Sequence, residues 1–342
     1  MHMADALVSP AVGGTLWAGA AGLVGYCSKK VNEDIDDRKI PLMGVIGAFI
    51  FAAQMINFAI PGTGSSGHLG GGLILAILLG PHAGFLVMAS VLTIQALFFA
   101  DGGLLALGCN IFNLGVFPCF VAYPLIYKNI VGGHPSEGRL FIGATLAAVV
   151  GLQLGAFCVV LQTVLSGISE LPFGPFVLLM QPIHLAIGVV EGLATTAVVV
   201  FVWKARPEII EATAESPPTG AFPFLKVLVG LLVAGALTGG VLSWFASSRP
   251  DGLEWAMFKT GGKAALESPQ KGVHAALANL QEKTAFLPDY GFKAEDAEPP
   301  AEEHESWPTA NAGTSLSGLV GGTMTLLVAG MIGYALKRRR QK

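Results

Sequence analysis

Nine apolar segments separated by short polar loops constrain this chain more than any other feature. They run over residues 8–26, 42–60, 67–80, 84–100, 104–127, 140–165, 173–203, 225–245 and 315–336. Most approach the ~20 residues that a helix needs to cross ~30 Å of hydrocarbon. Lipid offers no partner to backbone polar groups, so such segments cross as helices. We therefore expect an all-α polytopic membrane protein with about nine transmembrane helices.

The composition agrees with a membrane protein. Hydrophobic residues make up 53% of the 342 residues and charged residues only 13%, whereas a soluble domain carries about 25% charged residues. Glycine is abundant, and small residues let transmembrane helices pack closely. Segment 67–80 is short and is followed by Pro81, so we expect it to be tilted or re-entrant.

Basic residues concentrate in the loops that lie inside the cell if the N-terminus lies outside. These residues are Lys29, Lys30, Arg38, Lys39, Lys128, Arg139, Lys204 and Arg206, together with the tail KRRRQK. The loops near 61–66, 101–103 and 166–172 contain no Lys or Arg. By the positive-inside rule, we expect a multi-pass protein of the cell (inner) membrane with its N-terminus outside and its C-terminus in the cytoplasm. This parity requires segment 67–80 to cross.

A polar, proline-rich stretch divides the chain. We expect a seven-span unit over residues 1–205, a cytoplasmic linker over 206–224, and a two-span unit over 225–342. The two-span unit contains one long external loop, 246–314, with six basic and eleven acidic residues. The part EDAEPPAEEHESWP of this loop is typical of a disordered linker.

The chain opens with MHMADALVSP, and its first two residues form a candidate chelate. No basic region precedes the first apolar segment, so we expect no cleavable signal peptide. We expect Met1 to be retained, because methionine aminopeptidases act before small residues and His2 is not one. The Met1 amine, the His2 amide nitrogen and His2 Nδ1 can close a five-membered and a six-membered ring around one ion. One further imidazole, from His68, would complete four coplanar nitrogens, a set that suits Ni(II) or Cu(II).

The glycine-rich stretch GTGSSGHLGGG has the G-x-x-x-x-G spacing of a phosphate loop. A Walker A motif then requires Lys and Ser or Thr, whereas His68 and Leu69 follow here. No other Walker A sequence is present in the chain. We therefore expect neither nucleotide hydrolysis nor enzyme activity of its own.

Other polar residues in the apolar segments are interpreted structurally. His184 and Glu191 are seven apart on one helical face, which is typical of a polar pair between helices. Asp101, in the turn ADGG, is expected to cap that turn. His82 is expected at an inner turn, far from the N-terminus, and His274 and His304 are expected to be exposed in the external loop. Interhelical hydrogen bonds are expected from Gln54, Asn57, Gln95, Asn110, Asn113 and Gln153.

Several long motifs resemble one transporter family. MHMADALVSPAVGG, GHLGGGLILAILLGPHAGF, QALFFADGGLLALGCNIFNLG and HLAIGVVEGL together resemble the NikM/CbiM family, the substrate-specific (S) components of energy-coupling-factor (ECF) nickel and cobalt transporters. This resemblance covers about residues 1–205. PDGLEWA, LPDYGF and the last apolar segment resemble the NikN/CbiN-type (PDGLE) partner, so the chain resembles a natural fusion of the two.

The resemblance implies the substrate-capture subunit of an ATP-driven importer. It implies that Ni²⁺ or Co²⁺ is the transported substrate, bound at the outer face by the Met1 amine, His2 and His68. It also implies a separate transmembrane coupling (T) component and cytoplasmic ATPase subunits as partners. The opening MHMADA differs from the MHIMEG typical of cobalt-type members, which favours nickel.

Two other functions are compatible with a membrane protein that binds metal. A stand-alone secondary divalent-metal permease would require acidic relays through the midplane, and only Glu191 qualifies. A membrane metalloenzyme would require an open metal position and a nearby base. The four-nitrogen set leaves no clear base, although Asp5 is close in sequence.

Overall fold

Helices form most of the computed structural model, which describes residues 2–34, 38–211, 224–263, 266–293, 308 and 310–340. The α-helices are α1 (Pro10–Asp34), α2 (Lys39–Gln54), α3 (Gly72–Leu79), α4 (Pro81–Phe99), α5 (Leu107–Ile111), α6 (Lys128–Val131), α7 (Glu137–Ser166), α8 (Phe173–Ala205), α9 (Pro207–Glu211), α10 (Phe224–Gly240), α11 (Gly252–Gly261), α12 (Gly272–Thr284) and α13 (Ala312–Arg340). Two short antiparallel strands, β1 (Phe58–Ile60) and β2 (Ser65–Gly67), follow α2. Short 3₁₀ turns lie at Asp5–Leu7, Leu242–Phe245 and Pro288–Tyr290.

Helices α5 and α6 are two ends of one continuous apolar helix. The intervening segment, Phe112–Tyr127, is wound as a π-helix and contains Pro118 and Pro124. Proline lacks the N–H that an α-helix requires, so the wider winding accommodates a sequence that an α-helix would not.

Five helices within the described residues are both long and apolar enough to cross a membrane. They are Pro81–Phe99, Leu107–Val131, Glu137–Ser166, Phe173–Ala205 and Ala312–Arg340. Helices α2 and α10 are apolar but contain only 16 and 17 residues. The described residues therefore contain a multi-helix membrane protein, with five rather than nine helices that meet both criteria.

The third expected segment, 67–80, is not one continuous helix. Helix α3 has eight residues and is about 12 Å long at 1.5 Å per residue, less than half of the ~30 Å hydrocarbon core. The residues before it, 68–71, are non-helical. Gly71 has a φ of +76°, which favours glycine and interrupts the helix.

This broken segment nevertheless connects the two ends of the bundle. His68, at its start, packs against His2, which precedes α1. His82, just after its end, packs against Tyr26. Tyr26 lies 16 residues beyond Pro10, or about 24 Å along α1. The chain therefore passes through the bundle as an extended stretch followed by a short helix, with its open backbone groups buried in protein as membrane depth requires.

Helices α10 and α13 of the C-terminal unit pack directly on α2. Glycines allow close approaches within this group of three helices: a Cβ at Gly318 of α13 would lie 2.5 Å from the Gly239 carbonyl oxygen of α10, and one at Gly44 of α2 would lie 2.8 Å from the Leu326 carbonyl oxygen of α13. Backbone contact of this kind is the usual way in which transmembrane helices gain packing energy.

The described part of the external loop is folded against the end of the bundle that holds His2. On helix α12, Gln281 Nε2 donates hydrogen bonds to the carbonyl oxygens of Ala96 and Gly102 at 2.8 and 2.7 Å. The Leu287 N–H donates to the Phe98 carbonyl at 3.3 Å. The linker expected over residues 295–308 lies outside the described residues, except for Pro308.

Candidate metal site

His2 and His68 lie side by side at the end of the bundle that the external loop covers. Their ring centroids are 5.0 Å apart and the rings are nearly parallel, with an interplanar angle of 8°. The His2 side chain is 7% exposed, and its Nε2 is buried with no hydrogen-bond partner among the residues that the structure describes. Met1, the third residue expected here, lies outside the described residues. The structure thus brings two imidazoles into one buried place although they are 66 residues apart in the sequence.

Asp101 contacts the other nitrogen of His2. His2 Nδ1 lies 3.0 Å from Asp101 Oδ1, and the Tyr290 hydroxyl donates to Asp101 Oδ2. Burial by itself would raise the pKa of Asp101, but His2 and the hydroxyl outweigh burial and hold this pKa well below its usual range. Burial raises the pKa of Tyr290, so its hydroxyl keeps the proton that it donates. The expectation that Asp101 only caps its turn is wrong, because its carboxylate bonds to side chains from two distant parts of the chain.

The N-terminal segment is fixed by the turn that follows α4. The Met3 N–H donates to Asn110 Oδ1 at 2.8 Å, and the Met3 carbonyl accepts from the Gly103 N–H at 2.9 Å. Asp5 Oδ1 accepts from the Ala106 N–H at 2.9 Å. These hydrogen bonds connect the backbone of Met3 and the side chain of Asp5 to the bundle. They hold His2 in a defined position despite its place near the chain end.

The backbone after His68 is held by a carboxylate from α8. Glu191 accepts from the Gly70 N–H at 2.8 Å and from the Gly71 N–H at 3.0 Å. On the other side, Gln54 Nε2 donates to the Gly70 carbonyl at 2.7 Å. His68 Nδ1 lies 3.0 Å from the Leu69 carbonyl oxygen, so Nδ1 is the donor and the tautomer leaves Nε2 as the ligating nitrogen. Glu191 therefore joins α8 to the loop that carries His68 and positions that loop.

The PDGLE motif lies directly beside this loop. The Ser66 N–H donates to the Pro250 carbonyl at 2.8 Å, and Ser66 pairs with Asp251 as an isolated parallel bridge. Asp251 Oδ1 caps α11 by accepting from the N–H groups of Leu253 and Glu254, both at 2.8 Å. A small cavity here is lined by His68, His184, Asp251, Gly252, Gly67 and Gly70, among others. The C-terminal unit thus contributes a carboxylate to the surroundings of His68.

The remaining histidines have other roles. His184 Nδ1 donates to the Met180 carbonyl at 2.8 Å within its own helix. His274 is buried rather than exposed, and its Nε2 lies 3.0 Å from the Val8 carbonyl oxygen, so it docks α12 on the N-terminal segment. His82 packs between Tyr26 and Phe120 at the far end of α1. His304 lies outside the described residues.

The described side chains do not form a complete metal site by themselves. Within the described residues, no three His, Cys, Asp or Glu side chains form a group able to hold a metal ion. A metal here would therefore need backbone or terminal nitrogens in addition to the two imidazoles. The expected six-membered ring uses His2 Nδ1, which is the nitrogen that faces Asp101. Chelation through Nδ1 exchanges this contact for a bond to the metal.

Sequence reasoning missed Asp101, Asp251 and Tyr290 as neighbours of His2 and His68. The motifs ADGG, PDGLE and LPDYGF were each visible. Nothing in the sequence indicates that the turn after α4 and two parts of the external loop meet at one place. The only local signal is Asp101, a carboxylate at the end of an apolar segment and next to two glycines.

Comparisons with known proteins match two family models to this chain. Residues 2–209 match the CbiM model, described as a cobalt uptake substrate-specific transmembrane region, and residues 225–338 match the PDGLE domain. A putative fused nickel transport protein NikMN of Archaeoglobus fulgidus is 32% identical over 99% of this chain and 98% of its own. A fused nickel transport protein NikMN of Rhodobacter capsulatus is 30% identical over 85% of this chain and 88% of its own.

A solved structure has a similar fold over part of the chain. The crystal structure of a transition metal transporter is 29% identical, with a TM-score of 0.54, and the match covers 63% of this chain and 98% of that one. The family match extends over more than half of the chain, and the fused relative of Archaeoglobus fulgidus matches nearly end to end. The chain therefore belongs to the CbiM family, as a NikM/CbiM-type membrane region fused to a NikN-type PDGLE domain.

Proposed function

We propose that this protein is the substrate-capture subunit of an ATP-driven, ECF-type importer of nickel or cobalt. The observation that carries the proposal is the buried pair of His2 and His68, together with the hydrogen bond from the Met3 N–H to Asn110 that fixes the N-terminal segment beside them. The names of the fused nickel transport relatives support the choice of substrate.

The metal is the cargo, held by the Met1 amine, His2 and His68. Nitrogen donors in a plane suit Ni(II). The three proposed ligand groups bind through nitrogen, which disfavours Mg²⁺ and Ca²⁺, since these ions prefer oxygen ligands. We propose nickel over cobalt because the relatives that match the whole fusion carry nickel in their names.

The arrangement in the membrane follows the charge distribution. We propose that the end holding His2 and His68 faces outward and that the C-terminus, with its KRRRQK tail, lies in the cytoplasm. The broken segment 68–79 supplies the crossing that this parity requires. We further propose a metal-binding domain over 1–205, a linker over 206–224 and a PDGLE domain over 225–342, in agreement with the matched ranges.

Energy is supplied by separate subunits, a transmembrane coupling component and cytoplasmic ATPases. No Walker A motif is present in the sequence. A stand-alone permease is the alternative, and it would use acidic residues in the membrane as relays. Glu191, the candidate relay, is fully engaged with the Gly70 and Gly71 N–H groups, which argues against it.

Uptake of Ni(II) into vesicles tests the proposal. Vesicles that contain the full chain with its coupling and ATPase subunits should accumulate metal with ATP and not without it. Vesicles that contain the chain alone should bind metal without concentrating it. ATP-independent accumulation driven by a proton gradient would refute the importer and favour the permease.

Two substitutions test the ligands. We expect His2→Ala and His68→Ala each to abolish tight Ni(II) binding, while His304→Ala serves as the control and binds normally. An extension of the N-terminus should also abolish binding, because a peptide bond replaces the Met1 amine. Normal binding by the extended protein would refute the chelate.

A further inference from the structure

Two carboxylates, one from each unit of the chain, lie beside the histidine pair. Asp101 comes from the turn after α4 and contacts His2 Nδ1 at 3.0 Å. Asp251 comes from the PDGLE motif and lines the same cavity as His68. The electrostatic surroundings of His68 include both carboxylates. One carboxylate near the histidine pair therefore comes from each unit of the chain.

The proposed donors cannot neutralise a divalent ion by themselves. A terminal amine and two imidazoles are neutral ligands, and one deprotonated amide supplies a single negative charge. A dication in this set keeps a net charge of about +1, and a buried, uncompensated charge is strongly unfavourable in a medium of low dielectric constant. A site that binds such an ion tightly therefore requires nearby negative charge that does not have to ligate.

Both carboxylates are fixed by hydrogen bonds that are independent of the metal. Asp101 is held by the Tyr290 hydroxyl, and Gln281 fixes the turn that carries it. Asp251 is held as the N-cap of α11, whose capping box includes Glu254. Gly252 permits its approach, because a Cβ there would lie 2.6 Å from Ile183 Cγ2 on α8. These hydrogen bonds remain in place when a metal replaces the contact between His2 Nδ1 and Asp101, so both carboxylates stay near the bound ion.

We propose that Asp101 and Asp251 are charge-compensating, positioning residues of the metal site, and that the PDGLE motif supplies the second of the two charges. This inference rests on the proposed function. It assigns to the C-terminal unit a direct electrostatic contribution to cargo binding. It also explains why the described part of the external loop is folded over the site.

Isosteric removal of each charge is the test, with the full chain in detergent and Ni(II) alone as the probe. In Asp101→Asn the amide oxygen can still accept from His2 and the amide N–H₂ can donate to Tyr290. In Asp251→Asn the cap is preserved, since Asn and Asp are comparable N-caps. We expect each variant to bind Ni(II) about 10–100-fold more weakly, the range typical for loss of an outer-shell partner. Glu282→Gln, an exposed carboxylate on α12, is the matched control and should bind normally.

Two further readouts separate charge compensation from other roles. The visible absorption of the Ni(II) complex should be unchanged in both Asn variants, because the ligands are the same, and the melting temperature of the metal-free protein should also be unchanged. Affinity within twofold of the wild-type value in both variants would overturn the inference. A changed absorption spectrum would also overturn it, because it would show that the carboxylate is a ligand of the metal. Retention of binding by His2→Ala and His68→Ala would instead refute the proposed function.

Discussion

Gly103→Ala should weaken metal binding without touching any proposed ligand. A Cβ at Gly103 would overlap Asp5, including its backbone nitrogen, at less than the 3.0 Å that real Cβ atoms keep. The N-terminal segment must therefore shift away from the turn after α4. Glycine is required here for close approach of the backbone and not for a positive φ.

The expected magnitude follows from the bonds that the shift breaks. The Gly103 N–H to Met3 carbonyl bond and the Ala106 N–H to Asp5 bond are each worth about 1 kcal/mol net. Their loss removes about 2 kcal/mol of the free energy that orders His2. At 1.4 kcal/mol per tenfold, Ni(II) affinity should fall by about 30-fold.

Isothermal titration of the purified full chain with Ni(II) measures this loss. Gly19→Ala is the matched control, because a Cβ at Gly19 meets nothing within 4 Å, and it should bind like the wild type. A correctly folded Gly103→Ala protein with wild-type affinity would refute the claim that the 100–103 turn orders the N-terminus.

Two other predictions concern the loop that carries His68 and the acid dependence of binding. Glu191→Gln should lower Ni(II) affinity by about tenfold, because one amide oxygen replaces two carboxylate oxygens that accept charge-assisted bonds from Gly70 and Gly71. The control is Glu170→Gln, at an exposed position. Equal affinities of the Glu191→Gln variant and the wild type in titration calorimetry would contradict this role. Binding should also weaken between about pH 7 and pH 5, because protons compete with the metal for the Met1 amine, with a reference pKa of about 7.7–8.0, and for the amide nitrogen that the chelate deprotonates. The pKa of Asp101 lies well below its usual range, so this carboxylate stays ionised throughout and does not cause the loss. Affinity that stays constant down to pH 5 would contradict a nitrogen site.

The sequence predicted the helices more completely than the way they are joined. Long apolar runs predicted helices α4, α7, α8 and α13, because the consecutive apolar residues that a membrane-spanning helix needs are visible in the local sequence. The break before α3 depends on the bonds from Glu191 and Gln54 to the Gly70 backbone. Those partners lie on other helices, so a local pattern could not reveal the break.

The candidate site, too, could be predicted only in part from the sequence. The chemistry of the chain start and a glycine-rich loop identified His2 and His68 as partners, and the structure places their rings 5.0 Å apart. The convergence of Asp101, Asp251 and Tyr290 depends on how the external loop folds back over the bundle. His274 was expected to be exposed for the same reason, since its burial against Val8 is set by that fold and not by the residues around it.

The visible absorption and magnetism of the Ni(II)-loaded full chain test the central claim most directly. Four coplanar nitrogens from Met1, His2 and His68 imply square-planar Ni(II), which is diamagnetic and yellow to orange. We expect one equivalent of metal to give this species, and His68→Ala to abolish it. A paramagnetic, pale-green complex, typical of octahedral coordination by oxygen and water, would contradict the proposed site.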